Sequence, residues 1–343
     1  MQSKIKNEDF TLLSARLFVY LQIMSDINEI SVSQQAVIDE RYMQRCMQLA
    51  ECGLLTTRPN PMVGAVIVAR QRIIGEGYHV RCGEGHAEVN AFASVNKSDE
   101  QLLHEATIYV SLEPCAHYGK TPPCADLIIS KGVRRVVVGC VDPFAKVHGK
   151  GIQRIREAGI EVTVGVCEKE CRWLNRRFFT FHQYHRPYIT LKWAQTADGF
   201  LDDHCRSIAI STPFTKMLVH QLRTEHDAIL VGRITEQREH PQLNVRHWSG
   251  PDPVKMVLSS DHGIDAVFGE CRDRQLLSIL VEGGRASLQS FIDAGLWDEI
   301  RVETGTAIVG DGTPAPLIPA TAVLRQRKIA DGNVITLYCN NIV

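Results

Sequence analysis

Two α/β domains in tandem are what this sequence predicts, and three observations carry that expectation. The chain has 343 residues, more than the roughly 250–300 at which a single hydrophobic core stops growing. Its apolar runs fall twice into an alternation of strand-like and helix-like segments, the pattern of largely parallel sheets sandwiched by helices. A polar, aromatic stretch from Arg176 to Arg186, closed by Pro187, separates the two series and reads as a linker. Hydrophobic residues make up 44% and charged residues 22%, ordinary for a globular chain, so two cores can be buried.

The elements follow in order. Asp39 is placed to cap a helix whose apolar side is Met43, Cys46, Met47 and Ala50, and Gly53 to end it in a left-handed turn. Val63 to Ala69 and Arg72 to Tyr78 are β-branched runs joined by a short turn, which predicts a hairpin. A helix from His86 to Val95 comes next. It is followed by strand Thr107 to Leu112, helix Ala125 to Ser130, strand Arg134 to Cys140, helix Ile152 to Ala158 and strand Ile160 to Val166. The second series runs from strand Tyr188 to Ala194 through helix Pro213 to Arg223 and strands Ala228 to Val231, Val254 to Leu258 and Ser278 to Val281. Helix Ala286 to Asp293 and a β-rich tail complete it. The expected organisation is an N-terminal extension over 1–38, one domain over 39–180 and a second over 187–343.

Composition also excludes. A net charge of -1 leaves no basic footprint for a phosphate backbone, so a nucleic-acid partner is not expected. Eleven cysteines, an odd number spread over a long chain, do not form the dense framework of a small secreted domain and suit a reducing cytoplasm. The apolar segment Leu12 to Met24 has no small-residue cleavage site and is too short to span a bilayer, so no membrane association is expected.

The chemistry concentrates in the first domain. His86-Ala87-Glu88 opens one helix, and Pro114-Cys115 with Cys124 opens another after a strand, so two helix starts can converge. One imidazole and two thiolates make three ligands, and a catalytic zinc takes three protein ligands where a structural zinc normally takes four. Glu88, on the same first turn as His86, can take a proton from water activated by the metal and return it to a ring nitrogen and a leaving amine. His-x-Glu with Pro-Cys-x-x-Cys is the signature of nucleobase deaminases. This sequence matches the first half but separates Cys115 from Cys124 by eight residues, which lengthens the loop over the metal. The bland alternative is a structural zinc, and the missing fourth ligand argues against it.

The run Thr57-Arg58-Pro59-Asn60-Pro61-Met62-Val63-Gly64, with Gly75-Glu76-Gly77-Tyr78-His79, His86-Ala87-Glu88, Glu113-Pro114-Cys115 through Cys124 and Asp142-Pro143, resembles the bifunctional deaminase/reductase of riboflavin biosynthesis. The resemblance implies a cytidine-deaminase-like α/β/α sandwich and hydrolytic deamination of a diaminopyrimidinone that carries a ribosylamino 5-phosphate. It also implies a substrate pocket that includes Asn60, His79, His117 and Lys120. Phe144 departs from the family, which often has Asn after Asp-Pro.

From Pro187 onward the sequence is similar to the same family's reductase, with a dihydrofolate-reductase-like fold and NADPH as cofactor. The anchors are Pro187 to Lys192, Asp198-Gly199, Leu222-Arg223, Ala228 to Gly232 with Thr235, Pro241 to Arg246 and Val281-Glu282-Gly283-Gly284. Two glycines between a strand and a helix let backbone approach an anion at the helix N-terminus. The resemblance makes Lys192 the proton partner in reduction of the ribosyl carbon to ribityl. It puts Ser207, Arg223, Leu243, Arg246 and Glu282 on the substrate, and Ala194, Ala209, Thr235, Glu239, Gly283 and Gly284 on the cofactor. It further implies a cytoplasmic homo-oligomer acting on a small molecule. Where relatives have Trp this chain has Ala209, and the stretch between Leu258 and Ser278 has room for little beyond a turn and one short element, so that a strand and a helix of the family pattern are expected to be missing. Reduced or absent reductase activity, with the second half acting as a binding or oligomerisation module, is therefore the competing expectation.

Other patterns yield less. Cys167, Cys171, His182 and His185 could suggest a second zinc, but helical cysteines more often pack. Gly119-Lys120-Thr121 ends like a phosphate loop, yet Pro114 stands where the first glycine is required. Gly149-Lys150-Gly151 at a helix start reads as a turn in preference to an anion site.

Overall fold

The computed structural model of the protein describes residues 34–118, 122–144 and 147–340. Most of the expected N-terminal extension, including Leu12 to Met24, lies outside the described residues, as does Lys120. Among the described residues no helix is long and apolar enough to cross a membrane. All eleven cysteines are free of disulfides.

The first sheet has the strand order β2-β1-β3-β4-β5, made of β1 (Gly64–Ala69), β2 (Arg72–Tyr78), β3 (Thr107–Leu112), β4 (Arg135–Cys140) and β5 (Glu161–Val164). β1 runs antiparallel to β2 and β3, while β3, β4 and β5 are parallel. The period of two divides each strand's side chains between two cores. Ala65, Ile67, Ile108, Val110, Val136 and Val138 face α2 (Ala87–Ala93), α3 (Cys124–Lys131) and α4 (Lys150–Glu157). Val66, Val68, Tyr109 and Val137 face α1 (34–51), α5 (Glu168–Leu174) and α6 (Arg176–Tyr184). Both faces are covered, so a three-layer sandwich results.

Three local expectations are corrected here. The first helix is already formed at residue 34, so Asp39 lies inside it and caps nothing. Its buried carboxylate instead receives Arg135 in a bidentate pair at 2.9 and 2.7 Å and the Tyr109 hydroxyl at 2.9 Å, which ties α1 to the sheet. Gly53 is not left-handed; its lack of a side chain matters because a Cβ would stand 2.7 Å from the His79 carbonyl oxygen and from Thr57 Cγ2. The supposed linker is mostly helix α6. Phe178 and Phe179 are buried on its inner side, and polar neighbours mask an amphipathic pattern.

The second sheet has the order β11-β12-β10-β6-β9-β7-β8. Its strands are β6 (Tyr188–Gln195), β7 (Ala228–Gly232), β8 (Val254–Leu258), β9 (Ser278–Val281), β10 (Glu299–Thr304), β11 (Ala322–Ala330) and β12 (Asn333–Asn340). Strands β6 to β10 are parallel and the last two are antiparallel. Four helices accompany it: α7 (Pro213–Thr224), α8 (Arg233–Glu239), α9 (Ile264–Asp273) and α10 (Arg285–Asp293). The short stretch between Leu258 and Ser278 holds one element, the helix α9, and no strand. In α9, Val267, Phe268 and Cys271 pack into the core with Ile189, Leu230 and Phe291, so the crossover from β8 to β9 is complete.

One face of this sheet is apolar and the other is not. Ile189, Leu191, Trp193, Ile300 and Val302 enter the core. The alternate positions on the neighbouring strands β6 and β10 are Tyr188, Thr190, Lys192, Glu299, Arg301 and Glu303, with Arg301 beside Lys192 in register. A line of charge on an inner strand is costly unless paired, and it is the structural signature of a site.

The two sheets meet through charged joints. Arg58 reaches Asp227 at 3.0 Å and the Thr224 carbonyl oxygen at 3.0 Å, and Arg176 approaches Glu299 at 3.5 Å. Leu277, ahead of β9, packs into the cluster formed by α1, α5 and α6.

Candidate active sites

Strand β3 runs out into Glu113-Pro114-Cys115, α3 begins at Cys124, and His86 occupies the N-cap of α2. These three ends meet. His86 Nδ1 lies 3.6 Å from Cys115 Sγ and 3.3 Å from Cys124 Sγ, and the three donor atoms lie within 4.8 Å of one another. Among the described residues no further histidine, cysteine or carboxylate joins the group. An imidazole and two sulfurs at this spacing fit zinc, which favours nitrogen and sulfur ligands, and three donors leave one position for chemistry.

The electrostatics suit anionic sulfur. The Cys115 thiol is pulled down to about 4, chiefly because Cys124 donates to it, with help from His86 and the Cys124 backbone N–H. Cys124 moves up in exchange, since it keeps its own proton to donate to Cys115 and is buried beside Glu88. The backbone N–H of Cys124 donates to Cys115 Sγ at 3.3 Å, so the start of α3 itself faces the thiolate. Glu88 is buried, and burial raises its pKa while the nearby His86 opposes the rise. A carboxyl group raised in this way can hold a proton as well as release one.

Asn60 and His79 lie beside this cluster. His79 Nδ1–H donates to the Gly85 carbonyl oxygen at 3.1 Å and Nε2 accepts from Asn60 Nδ2 at 3.1 Å, an arrangement that requires the neutral ring. Burial lowers the His79 pKa and so favours that state. Its ring stands edge-on to His86 with centroids 5.4 Å apart. His117 is exposed on the loop beyond Cys115. Two asparagines without an assigned role in the sequence reading hold this pocket's backbone. Asn90 donates to the carbonyls of Tyr78 and Gly85 at 2.7 and 3.2 Å, and Asn175 exchanges two 2.8 Å hydrogen bonds with Met62. A lone Asn carries no sequence signal that separates this use from a surface turn.

In the second unit, Lys192 opens onto a cavity of about 370 Å³ that is also lined by Ser211, Lys216, His220, Arg223, Arg246 and His247. Burial lowers the Lys192 pKa, and the nearby Glu282 carboxylate opposes the shift. Arg223 grips Glu282 through Nε at 3.0 Å and Nη2 at 2.8 Å, and its Nη1 donates to the Asn244 carbonyl oxygen at 3.2 Å. All three guanidinium nitrogens are thus engaged. Arg246 is exposed and bonds only locally to Asn244 Oδ1 at 2.9 Å. Lys216, His220 and His247 were missed in the sequence, because no local motif distinguishes them from other polar positions of a helix and a loop. The buried His220 lines the cavity with its Nδ1 unpartnered, edge-on to His247 with ring centroids 4.8 Å apart.

The residues expected at the cofactor are brought together in part. Gly284 N–H donates to Thr235 Oγ1 at 3.2 Å, and Gly232 and Gly283 both lie against Ser287. The starts of α8 and α10 are therefore adjacent, a cradle of backbone N–H groups suited to a phosphate. Ala194 stands on β6 next to Glu303 in register. Ser207 and Ala209 are exposed on the loop before α7, and Glu239 is exposed at the end of α8. Arg238 donates to the Cys205 sulfur at 3.6 Å and links the loop to that helix. Leu243 is buried in a small core with Ile229, Val231 and Leu280.

Residues 36–140 match the family described as the cytidine and deoxycytidylate deaminase zinc-binding region, and residues 187–335 match the RibD C-terminal domain. The chain is 37% identical over 320 residues to riboflavin biosynthesis protein RibD of Aquifex aeolicus, covering 80% of this chain and 89% of that one. It is 34% identical over 331 residues to RibD of Bacillus amyloliquefaciens, covering 81% and 87%. In three dimensions it is similar to a diaminohydroxyphosphoribosylaminopyrimidine deaminase/5-amino-6-(5-phosphoribosylamino)uracil reductase of Thermotoga maritima. That similarity has a TM-score of 0.82 and 33% identity and covers 89% of this chain and 99% of that one. A RibD structure from Acinetobacter baumannii follows at TM-score 0.79 and 28% identity, covering 90% and 100%.

Proposed function

This chain belongs to the RibD family, the bifunctional deaminase/reductases of riboflavin biosynthesis, and on that premise we propose how its own residues divide the two reactions. The unit over 39–180, extended by the start of α1, deaminates 2,5-diamino-6-(5-phosphoribosylamino)pyrimidin-4(3H)-one. The unit over 187–343 then reduces the ribosyl group to ribityl.

His86, Cys115 and Cys124 hold the metal. Zinc, when bound there, acidifies a water molecule and so supplies a nucleophile at neutral pH. Glu88 takes up the proton released and passes it to the ring nitrogen beside the carbon under attack, and then carries the second proton, from the added hydroxyl, to the departing amine, so water is consumed and ammonia leaves. Asn60 and the neutral His79 orient the ring. His117, on the loop beyond Cys115, and Lys120, which follows it in sequence, meet the substrate's polar and phosphate groups. What carries this reading is the convergence of three donors with a buried carboxyl two residues from one of them.

In the second unit NADPH, when bound, supplies the hydride. Lys192 protonates the oxygen that gains charge, and Glu282 both holds Arg223 and keeps a carboxylate beside the ammonium. Arg246, with Arg223 behind it, gives the cavity the positive charge that a phosphate ester requires, whereas Ser207 on its exposed loop and Leu243 in its small core do not line the cavity. Thr235, Gly283 and Gly284 receive the cofactor's phosphates, with Ala194, Ala209 and Glu239 around them. The deaminase-only alternative is weakened, because the shortened stretch still supplies a helix, α9, that packs into the core between β8 and β9.

The test is to incubate the purified protein with the diaminopyrimidinone phosphate, with and without NADPH, and to follow ammonia and nicotinamide absorbance separately. Ammonia release in both arms, with nicotinamide oxidation only after deamination, is the expected result. No ammonia from zinc-loaded protein would overturn the first assignment, and ammonia without nicotinamide oxidation the second.

A further inference from the structure

Glu113 directly precedes Pro114 and the ligand Cys115, yet its carboxylate has no part in the chemistry described above. It is buried and receives four backbone N–H groups. Gly149 at 2.9 Å and Asp142 at 3.2 Å donate to Oε2, and Gly151 at 2.9 Å and Ile152 at 3.4 Å donate to Oε1. Three of these donors belong to the first turn of α4, where unpaired N–H groups and the helix dipole favour negative charge. The Gly149-Lys150-Gly151 start is thus an anion site after all, and its anion is the protein's own. Gly149 takes φ 77° at the N-cap, and a Cβ on Gly151 would overlap the Pro114 carbonyl oxygen, so α4 packs directly on the turn. From the other side α3 holds the same turn, with Ala125 N–H on the Cys115 carbonyl oxygen at 3.1 Å and Cys124 N–H on Cys115 Sγ at 3.3 Å.

We infer that Glu113 is a positioning residue for the metal centre: by clamping the Glu-Pro-Cys turn to the start of α4, it fixes Cys115 Sγ at ligand distance from His86 and Cys124 before any metal arrives. A thiolate on an unanchored loop would lose conformational freedom at the moment of binding, and that cost would subtract from affinity. A clamp set at folding removes the cost. The inference rests on the zinc reading of the three ligands, and its test separates the two.

Glu113→Gln keeps the shape but turns an amide donor toward backbone donors. Gly151→Ala presses the turn from the opposite side. Glu157→Gln is the control, since Glu157 lies exposed at the far end of α4, where it accepts only the side chain of Gln153 at 2.8 Å. Each full-length variant is loaded with zinc and challenged with a chromogenic chelator, and its cobalt-substituted form is examined for the sulfur-to-metal absorption band. Outer-shell partners of metal ligands are typically worth about 10- to 100-fold in affinity, so both turn variants should lose roughly that much and shift the cobalt band, while the control stays within about twofold. Because a variant can fail to fold, amide exchange on the unmodified metal-free protein provides a second measurement: the Gly149 and Gly151 N–H groups should already be protected. Lowered melting temperature with unchanged zinc affinity and cobalt spectrum would mean a simple structural staple and would overturn the inference. Rapid exchange at those two amides would overturn it too. Failure of the unmodified chain to take up zinc would instead sink the zinc reading itself, and this inference with it.

Discussion

The two candidate sites are assembled from different materials. In the first unit the reactive groups sit on helix starts, and their partners are mainly backbone: Cys124 N–H on Cys115 Sγ, Gly85 carbonyl on His79, four N–H groups on Glu113. In the second unit the reactive groups stand on a sheet face and at strand ends, and their partners are other charged side chains, Arg223 on Glu282 and the Glu282 carboxylate near Lys192. Backbone dipoles are set by the fold and change little with ligand, while a lattice of paired charges can exchange partners when an anionic substrate enters. The first site is therefore preorganised for one metal geometry, and the second is organised for recognition of charge.

The sharpest way to break this comparison is to remove one group from each side. Glu88→Gln should lower ammonia release by about 10²- to 10⁴-fold, the usual weight of a positioned acid–base group, while zinc content and reduction of supplied deaminated intermediate stay unchanged. Ammonia release near the wild-type rate would show that the buried carboxyl is only structural. Lys192→Met should do the converse and lower nicotinamide oxidation by roughly 10²-fold with deamination intact. The pH profile sharpens that point. Burial lowers the Lys192 pKa from its ordinary 10.5, so a reductase that needs the ammonium should lose activity as pH rises through a value below 10.5. A profile flat through the alkaline range would assign the proton to another group.

The same difference explains what was readable in the sequence. The zinc ligands and Glu88 lie in short runs, His-Ala-Glu and Glu-Pro-Cys, whose spacing is set by one helix turn, so local pattern and three-dimensional site coincide. Asn60 and His79 were found through resemblance, and the structure supplies the reason for their pairing, a single neutral tautomer. The second cavity draws on β6, α7 and the loop before β8, and no window of sequence contains it. Thus Lys192 and Arg223 were legible inside motifs, while Lys216, His220 and His247 were not. The strands were read nearly to the residue because apolar β-branched runs report burial directly. Helix α6 was missed because its buried Phe178 and Phe179 are surrounded by arginines and histidines, whereas α9 is the one short element the gap had room for.

Stability should also divide by region. His226 is buried beneath the second sheet's polar face, with Nδ1 against the Leu222 carbonyl oxygen at 2.8 Å and Nε2 against Thr190 Oγ1 at 2.9 Å. Burial and then the nearby Arg177 hold its pKa well below the ordinary 6.5. A histidine kept neutral in the folded state binds fewer protons than in the unfolded chain, so its contribution to stability is full above about pH 6.5 and is lost as pH falls toward the depressed value. The loss approaches about 1.4 kcal/mol per pH unit for one proton. Urea unfolding between pH 7.5 and 5.5 should show it, and His226→Gln should flatten the slope; an unchanged slope in that variant would place the titration elsewhere.

The smallest expected effect concerns the joint that lets the two sites share one chain. Arg58 sits two residues before Asn60 in the first pocket, and its guanidinium ends on Asp227 and on the carbonyl of Thr224, the neighbour of Arg223 in the second. Arg58→Ala leaves Asp227 with its Ser278 hydroxyl bond at 2.8 Å, so the loss is partial, about 1–2 kcal/mol for a charge-assisted contact shielded from water. In calorimetry this should lower the melting transition by a few degrees and, because the lost contact lies between the sheets, separate one transition into two. Each reaction measured alone should change less than about twofold. If the single transition persists at its original temperature, the two units are held by the apolar packing of Leu277 and α6, and the charged joint contributes nothing measurable.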